Sequence, residues 1–279
     1  MRRLMSISAA FVVVLSFVFS STAFAQQARV IEETLVLKDP TVAAAGKWIY
    51  GGALEYWYMK GPYNKTDFAG NLIASGDINF GQPGVSIFAG YDDFTVNATY
   101  RSGSGSTNFS YVNGANTVDS QTQKDYEIAL RWRISDLSSK YFSPYLLAGY
   151  SDTKYQDSET IRNFPAFAWP PTPPGHQTRV TTTDYKAPLV GIGGIIPVNE
   201  RFGFRVDGRL KFYNANRNRD GVPVSGSATG GELTGTMYVN IYEGWNLQLG
   251  GKFTRLDGGT NIGSNNRVGA FAMLGYTFK

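Results

Sequence analysis

The sequence predicts an all-β fold: an up-and-down, transmembrane antiparallel β-barrel of about 10 strands, with 8 or 12 strands as the alternatives. Three features predict it. Strand-length segments alternate between apolar and polar residues, their connections alternate between short and long, and aromatic residues stand at both ends of the segments. The clearest alternation is in residues 202–213, where charged residues occupy the odd positions from Arg205 to Lys211. Because strand side chains alternate between two faces, one face would contact lipid and the other a wet lumen.

The N-terminal residues 1–25 are predicted to be a secretory signal peptide. A basic start precedes a short apolar stretch, and residues 23–25 (Ala-Phe-Ala) fit a small-x-small cleavage site. A membrane-spanning helix is the alternative, but the apolar run is short for a bilayer and no stop-transfer charges follow it. We expect the signal peptide to be removed, leaving a periplasmic N-terminal segment over 26–46 and an outer-membrane β-barrel over 47–279.

Strands are expected wherever the period-two pattern holds. Between them, short connections alternate with long ones rich in Gly, Ser, Asn and Thr, as in barrels with short periplasmic turns and long outside loops. The predicted strands are 47–59, 84–91, 94–103, 124–134, 143–154, 183–196, 202–213, 233–243, 245–255 and 267–278. The predicted long loops are 60–83, 104–123, 155–182, 214–232 and 256–266.

Aromatic residues fall where two membrane interfaces would need them. Trp48 and Tyr50 begin the first predicted strand, and Tyr56 and Tyr58 end it. Strand propensity alone explains why aromatic residues are abundant, but it does not explain their placement at both strand ends. The placement predicts two belts of rings at the polar–apolar boundaries of a bilayer.

The last predicted strand alternates through Ala272 and Leu274 to Tyr276 and Phe278. Here the chain resembles bacterial outer-membrane β-barrel proteins of the small, porin-like kind, whose terminal strand commonly ends in alternating aromatic residues. Lys279 departs from that pattern, since the family usually ends on the aromatic itself. The resemblance implies a Gram-negative outer-membrane location, contact with outer-membrane lipid, and recognition of Tyr276 and Phe278 by the barrel-assembly machinery.

Composition excludes several function classes. The chain has no cysteine, which excludes disulfide frameworks, Fe–S clusters and thiol catalysis. Its formal net charge of +4 includes two arginines of the signal peptide. The mature chain therefore lacks the large basic surplus that is typical of nucleic-acid-binding proteins. No His pair for zinc, Gly-x-Ser-x-Gly elbow or phosphate-binding loop is present, so no metal or cofactor is expected.

The single histidine, His176, has no Asp or Glu beside it in the sequence. Omptin proteases share a ten-strand barrel but use a histidine beside an aspartate, and outer-membrane phospholipases require a histidine with a serine. The sequence therefore predicts a protein that is not an enzyme; the alternative is an enzyme with His176 as its base and Asp157 or Glu159 as its partner in space.

The odd-numbered charged residues of several strands, together with even-numbered Lys252, are expected to line the lumen. Seven are basic and four acidic. Two interpretations are open: an internal ion-pair network that holds the barrel rigid, or a narrow pore that prefers anions because of the basic surplus. Trp57, Tyr213 and Tyr242 are expected to face the same way. The predicted charged set is Glu55, Arg101, Asp125, Glu127, Arg131, Arg133, Arg205, Asp207, Arg209, Lys211 and Lys252.

The predicted loop 155–182 contains a proline-rich run with Phe164, Phe167, Trp169 and His176. Exposed rings are costly unless they bind something or fold inward. The loop is therefore expected either to cover the barrel mouth or to contact a ligand, partner or matrix.

These observations predict a non-enzymatic integral outer-membrane barrel that anchors long surface loops for envelope structure or surface binding. The alternative is a narrow passive channel for small, anionic solutes. The first hypothesis implies a surface ligand as partner, and the second implies a small solute.

Overall fold

The computed structural model describes residues 39–44, 46–66, 72–112, 116–161, 177–219, 221–258 and 264–278. Within them ten antiparallel strands form one closed barrel. The strands are β1 (Trp48–Thr66), β2 (Leu72–Tyr91), β3 (Phe94–Tyr111), β4 (Asn116–Arg133), β5 (Ser143–Ile161), β6 (Gln177–Pro197), β7 (Phe202–Arg219), β8 (Val222–Tyr242), β9 (Trp245–Asp257) and β10 (Ser264–Phe278). The predicted fold class and strand count are confirmed.

Each strand pairs with its neighbours in the sequence, and β1 closes the barrel on β10. That closing register runs from Tyr50 opposite Phe278 to Lys60 opposite Val268. Closure removes the exposed edges that an open sheet would present to lipid. In the part of the chain that the structure describes, no helix has the length and apolar character to span a bilayer.

The two faces of the wall differ as the alternation predicts. On β7, Val206, Leu210 and Phe212 are exposed on the outside, whereas Arg205 and Asp207 are buried on the inside. On β6, which is apolar on both faces, Leu189 and Ile195 point inward. In water this outer face would leave a continuous apolar surface exposed, so the fold requires lipid around it.

Aromatic residues form the two expected belts on the outer face. At the end of the barrel with the short turns, ring pairs include Trp48 with Tyr91 and Phe94 with Trp132, with centroids 5.0 and 6.2 Å apart. Towards the other end, Tyr100 lies opposite Tyr126 on the neighbouring strand, with ring centroids 4.8 Å apart. Leucine, valine, isoleucine and alanine occupy the outer positions between the belts.

The strands are longer than predicted, which corrects the assignment of long loops. Much of the predicted loops 60–83, 104–123 and 214–232 is paired strand, and β7 and β8 continue to Arg219 opposite Val222. Beyond the second belt most outer positions are polar because water surrounds them, and the inner positions mix polar residues with buried rings such as Phe80, Phe109 and Tyr155. Hydropathy alternation therefore disappears although backbone pairing continues.

The short connections lie at one end. The turn between β8 and β9 places Glu243 and Gly244 at positive φ, 40° and 92°, as a tight two-residue hairpin requires. A 3₁₀ turn, Ser135–Leu137, occurs in the connection between β4 and β5. A register shift near Asn240 leaves Tyr242 exposed on the surface, so the expectation that Tyr242 faces the lumen is wrong.

Candidate functional site

Residues 39–44, called the plug below, lie inside the barrel at the short-turn end. The Asp39 carboxylate pairs with Arg205 of β7 at 3.2 Å and accepts a 2.6 Å hydrogen bond from the Thr41 hydroxyl. Thr41 in turn accepts a 2.6 Å bond from Arg131 of β4, and its carbonyl accepts one from Thr95 of β3. Polar contacts to separate strands therefore fix the plug across the lumen.

Apolar contacts complete the seating of the plug. Val42 packs in a buried cluster, and Ala43 in a second one, so both sides of the segment are held by the barrel wall. The first cluster adds Tyr145, Leu147, Ile195 and Tyr238, and the second adds Ile49 and Phe88.

A layer of ion pairs crosses the lumen above the plug; we call it the septum. Glu127 accepts hydrogen bonds from Arg209 at 2.6 Å and Lys211 at 2.9 Å. Glu232 of β8 pairs with Lys252 at 2.6 Å and Lys211 at 3.3 Å. The members of the septum are Glu127, Asp207, Arg209, Lys211, Glu232 and Lys252. Three carboxylates face three cations, so the septum is neutral, as buried charge must be.

A further ion pair, between Arg101 and Glu55, lies beside the septum. Arg101 donates to Glu55 at 2.8 Å, and its guanidinium lies 4.5 Å from the centre of the Trp57 ring. Lys252 lies 5.0 Å from the same ring, and Phe271 stacks on it at 4.3 Å. Trp57 therefore stabilises two septum-level cations through its π face.

The septum divides the lumen into two cavities. The outer cavity, towards the long hairpins, has about 1170 Å³ of empty space, much of it open solvent at its mouth. The inner cavity, towards the plug, encloses about 620 Å³ on the same measure. Glu127 borders both, whereas Lys211 borders only the outer cavity and Arg209 only the inner one. One layer of side chains therefore separates the two spaces.

All eleven predicted lumen residues lie on inward positions, but they do not form one network. Arg133 lies at the short-turn end and pairs with Asp93 at 2.7 Å. Asp125 accepts hydrogen bonds from Gln82 and Gln123, and both amides lie within 3.0 Å of it. Arg131 makes no ion pair among the described residues; it bonds to Thr41 and lies 4.8 Å from the Tyr145 ring centre.

The sequence-based count of seven basic to four acidic residues omitted further charged residues. Asp119 and Asp157 are buried in the barrel, Arg217 and Arg255 line the outer cavity, and three more carboxylates pair with lumen cations. Asp39, Asp93 and Glu232 each neutralise a lumen cation. Arg267 of β10 also faces the lumen. Glu232 lies two residues before inward Thr234, so extending the pattern of the strand predicted over 233–243 by one residue would have included it. Arg267 lies within the strand predicted over 267–278, four residues before inward Phe271, so the alternation already assigns it to the lumen face.

Two predicted sites are not part of this arrangement. Phe164, Phe167, Trp169 and His176 lie outside the described residues. Tyr276 and Phe278 lie on the outer side of β10, where their rings contact each other at 4.7 Å. Among the described residues, no group of three or more His, Cys, Asp or Glu could hold a metal ion.

Comparisons with known proteins agree on the fold. No protein-family model matches the chain, and no curated protein sequence matches it. The outer membrane protease OmpT from Escherichia coli has a TM-score of 0.53 and 12% identity, with 83% of this chain and 96% of that chain covered. The translocator domain of the autotransporter NalP from Neisseria meningitidis has a TM-score of 0.49 and 12% identity, covering 88% and 93%. The fold is that of bacterial outer-membrane β-barrels, and because a fold does not determine function, function must be argued from the lumen.

Proposed function

We propose that the chain is a non-enzymatic outer-membrane barrel that acts as a narrow, normally closed passive channel for small anions. One observation carries the proposal: each of the two cavities holds an arginine, Arg267 or Arg131, that makes no ion pair with any described residue. Among the charged side chains that line the outer cavity, six are basic and three acidic. Among those that line the inner cavity, three are basic and one is acidic, so both cavities have a positive surplus to which these two arginines belong.

The dimensions of the barrel agree with a narrow path. Barrels of about 8 strands are filled by side chains, and open aqueous channels need about 16. Ten strands leave two cavities and one layer of charged side chains between them. Long, flexible Arg and Lys side chains can move apart without unfolding the wall, so the path can open while the backbone stays fixed.

Two barriers keep the path closed. The plug blocks the short-turn end, and the septum blocks the middle of the lumen. The septum carries three cations and three carboxylates, so it hinders ions of both signs. The two barriers therefore favour low conductance, and the anion preference comes from the positive surplus of the cavities on either side of the septum.

Planar-bilayer conductance tests the proposal. Protein refolded from Gln26 onward is expected to give rare, small, anion-selective currents in potassium chloride. Removal of residues 26–44 should raise the conductance several-fold, because the plug is lost. The matched control removes residues 26–37, keeps the plug, and should behave like the parent. Bilayers that stay silent with every variant would refute the channel.

Selectivity provides a second readout. Arg131→Gln removes the unpaired charge of the inner cavity and should shift the reversal potential towards zero. Arg201→Gln removes the same charge from an exposed short turn and should leave selectivity unchanged. Equal effects of the two substitutions would show that bulk charge, rather than the inner cavity, sets the preference.

A second candidate is the anchoring of surface structure for envelope integrity or surface binding. The observation that favours it is the length of the hairpins: β3 and β4 remain paired from Tyr100 opposite Tyr126 to Ser110 opposite Asn116. Replacing 108–118 by Asn-Gly would shorten this hairpin and, although it removes buried Phe109 and Thr117, would leave the lining of both cavities unchanged. If anchoring is the function, cells carrying the short hairpin should become detergent-sensitive while conductance stays the same.

A further inference from the structure

One side of the outer cavity is an aromatic wall. Phe80 of β2 and Tyr155 of β5 meet edge to face, with ring centroids 6.1 Å apart. Tyr185 of β6 packs against this pair and also contacts Tyr213 of β7, at 5.8 Å between centroids. The rings of Tyr155, Tyr185 and Tyr213, from three strands, line the cavity, and Phe80 is buried against Tyr155. These rings give the cavity an apolar side next to its charged floor.

Arg267 stands at one end of this wall. Its guanidinium lies 5.3 Å from the ring centre of Phe80 and 5.8 Å from that of Tyr155. One terminal nitrogen donates a 2.8 Å hydrogen bond to the side-chain oxygen of Gln123. Arg267 is thus held in place by neutral groups, and no carboxylate of the described residues pairs with it.

The hydrogen bonds of Arg267 are incomplete. Its Nε is buried and has no acceptor among the described residues. An arginine fork is suited to a carboxylate held through two parallel N–H bonds, and Gln123 occupies only one nitrogen. The partly buried Arg267 guanidinium has no counterion among the described residues, so an anion from solution would supply both the missing charge and the missing acceptor.

We propose that the outer cavity binds a small organic anion that carries one carboxylate on a flat, apolar ring. The carboxylate pairs with Arg267, and the ring lies along the wall formed by Tyr155, Tyr185 and Tyr213. This inference rests on the proposed channel and names the class of solute that enters it. At the floor of the cavity Arg101, Lys211 and Lys252 are already paired with glutamates. Arg217 and Arg255 also line the cavity, but the cation–ring contacts observed along the aromatic wall are made by Arg267.

The chemistry discriminates against related solutes. A neutral ring lacks the charge that Arg267 needs, and a small aliphatic acid lacks the ring that the wall accepts. Pockets gain orientation from a few placed polar groups and gain affinity from apolar walls. Benzoate is therefore the probe, benzamide its neutral counterpart and acetate its counterpart without a ring.

Isothermal titration calorimetry of the protein refolded from Gln26 in detergent micelles, at low salt and neutral pH, tests the inference. Empty micelles correct for partitioning of the probes. Benzoate should bind saturably, at least tenfold more tightly than benzamide or acetate. Arg267→Gln should weaken benzoate binding at least tenfold, and Arg201→Gln should leave it unchanged. Arg267→Lys, which keeps the charge and loses the fork, should fall between the parent and the Gln variant.

Heat-dependent gel migration verifies that each variant forms the barrel. Tyr185→Leu provides a test that leaves Arg267 intact: it should weaken benzoate binding and leave the weak binding of acetate unchanged. Equal binding of benzoate and benzamide, or full binding by a folded Arg267→Gln variant, would overturn the inference. A channel that conducts chloride without binding benzoate would overturn only this inference, whereas benzoate binding without any current would overturn only the channel.

Discussion

Glu232 connects more of the lumen than any carboxylate at the sequence-predicted positions. It pairs with Lys252 at 2.6 Å, Lys211 at 3.3 Å and Arg209 at 3.5 Å, and so joins three cations from two neighbouring strands. Truncating one partner of a buried pair costs more than the pair itself contributes, because the remaining charge stays buried. The stability of the closed lumen therefore depends strongly on this one side chain.

Replacing Glu232 by Gln should lower the free energy of unfolding by about 3 kcal/mol, since the cations of the septum then outnumber its carboxylates. Urea unfolding from lipid vesicles, followed by tryptophan fluorescence, measures the loss. In bilayers the same variant should conduct more and prefer anions more strongly. Glu243→Gln is the control, because Glu243 lies in an exposed turn and bonds only to Tyr242 among the contacts observed. Matching stability of the two variants would contradict the role given to Glu232.

Glycines on β6 make room for rings inside the barrel. A Cβ added at Gly193 would lie 2.6 Å from Cε2 of Tyr145, whose hydroxyl reaches Asp207. Gly193→Ala should therefore displace that ring and cost about 1–3 kcal/mol of unfolding free energy. Gly208→Ala is the matched control, because nothing lies within 4 Å of the added Cβ. Urea midpoints of the two variants should differ; equal midpoints would show that the Tyr145 ring moves freely.

At the scale of the strand, the sequence predicts membrane-embedded segments well and their extensions poorly. The alternation around Arg209 and Leu210 identifies both faces of β7, because one face contacts lipid and the other does not. Past Tyr126, β4 continues with polar residues on both faces, so hydropathy carries no signal there. The pairing that extends the hairpin is made by the backbone, which composition does not report.

The same reasoning explains which parts of the site were missed. Arg205 could be placed from alternation, but its partner Asp39 lies in a segment with no period, 166 residues away in the chain. Arg267 is the first residue of the predicted last strand, so no residue before it in that strand helps to assign its side chain to the inner or the outer face, and the assignment rests on the residues that follow it. Long-range partners inside a barrel are set by the register and shear of the closed sheet, and a single sequence does not give these.

The position of a residue along the lipid-facing side of a strand determines how much a charged substitution there lowers the free energy of unfolding. Ile128 lies on the outside of β4 between Trp132 and Tyr126, and Val118 lies on the same face beyond the second belt; both are exposed. Ile128→Arg should therefore destabilise the barrel by about 2–4 kcal/mol, as arginine does near a bilayer midplane. Val118→Arg should cost less than about 1 kcal/mol, because water surrounds it. Urea unfolding from vesicles compares them, and equal losses would contradict the assigned membrane boundary.

At the scale of the whole molecule, barrel closure makes the two ends unequal. One end gathers the short turns, both ends of the barrel chain at Trp48 and Phe278, and the plug. The other end carries the extended hairpins and opens into the outer cavity. Since outer-membrane barrels keep short turns in the periplasm, the outer cavity and Arg267 should face the outside of the cell.

Epitope insertion tests this orientation. A tag placed after Gly221, in the hairpin that joins β7 and β8, should bind antibody on intact cells. The same tag placed after Asn199, in the short connection between β6 and β7, should bind only after the outer membrane is permeabilised. Both sites are exposed and lie outside the paired strands, so neither insertion interrupts the wall. If the labelling pattern is reversed, the plug lies on the cell surface and the outer cavity in the periplasm, and the channel would take up solute from the opposite side.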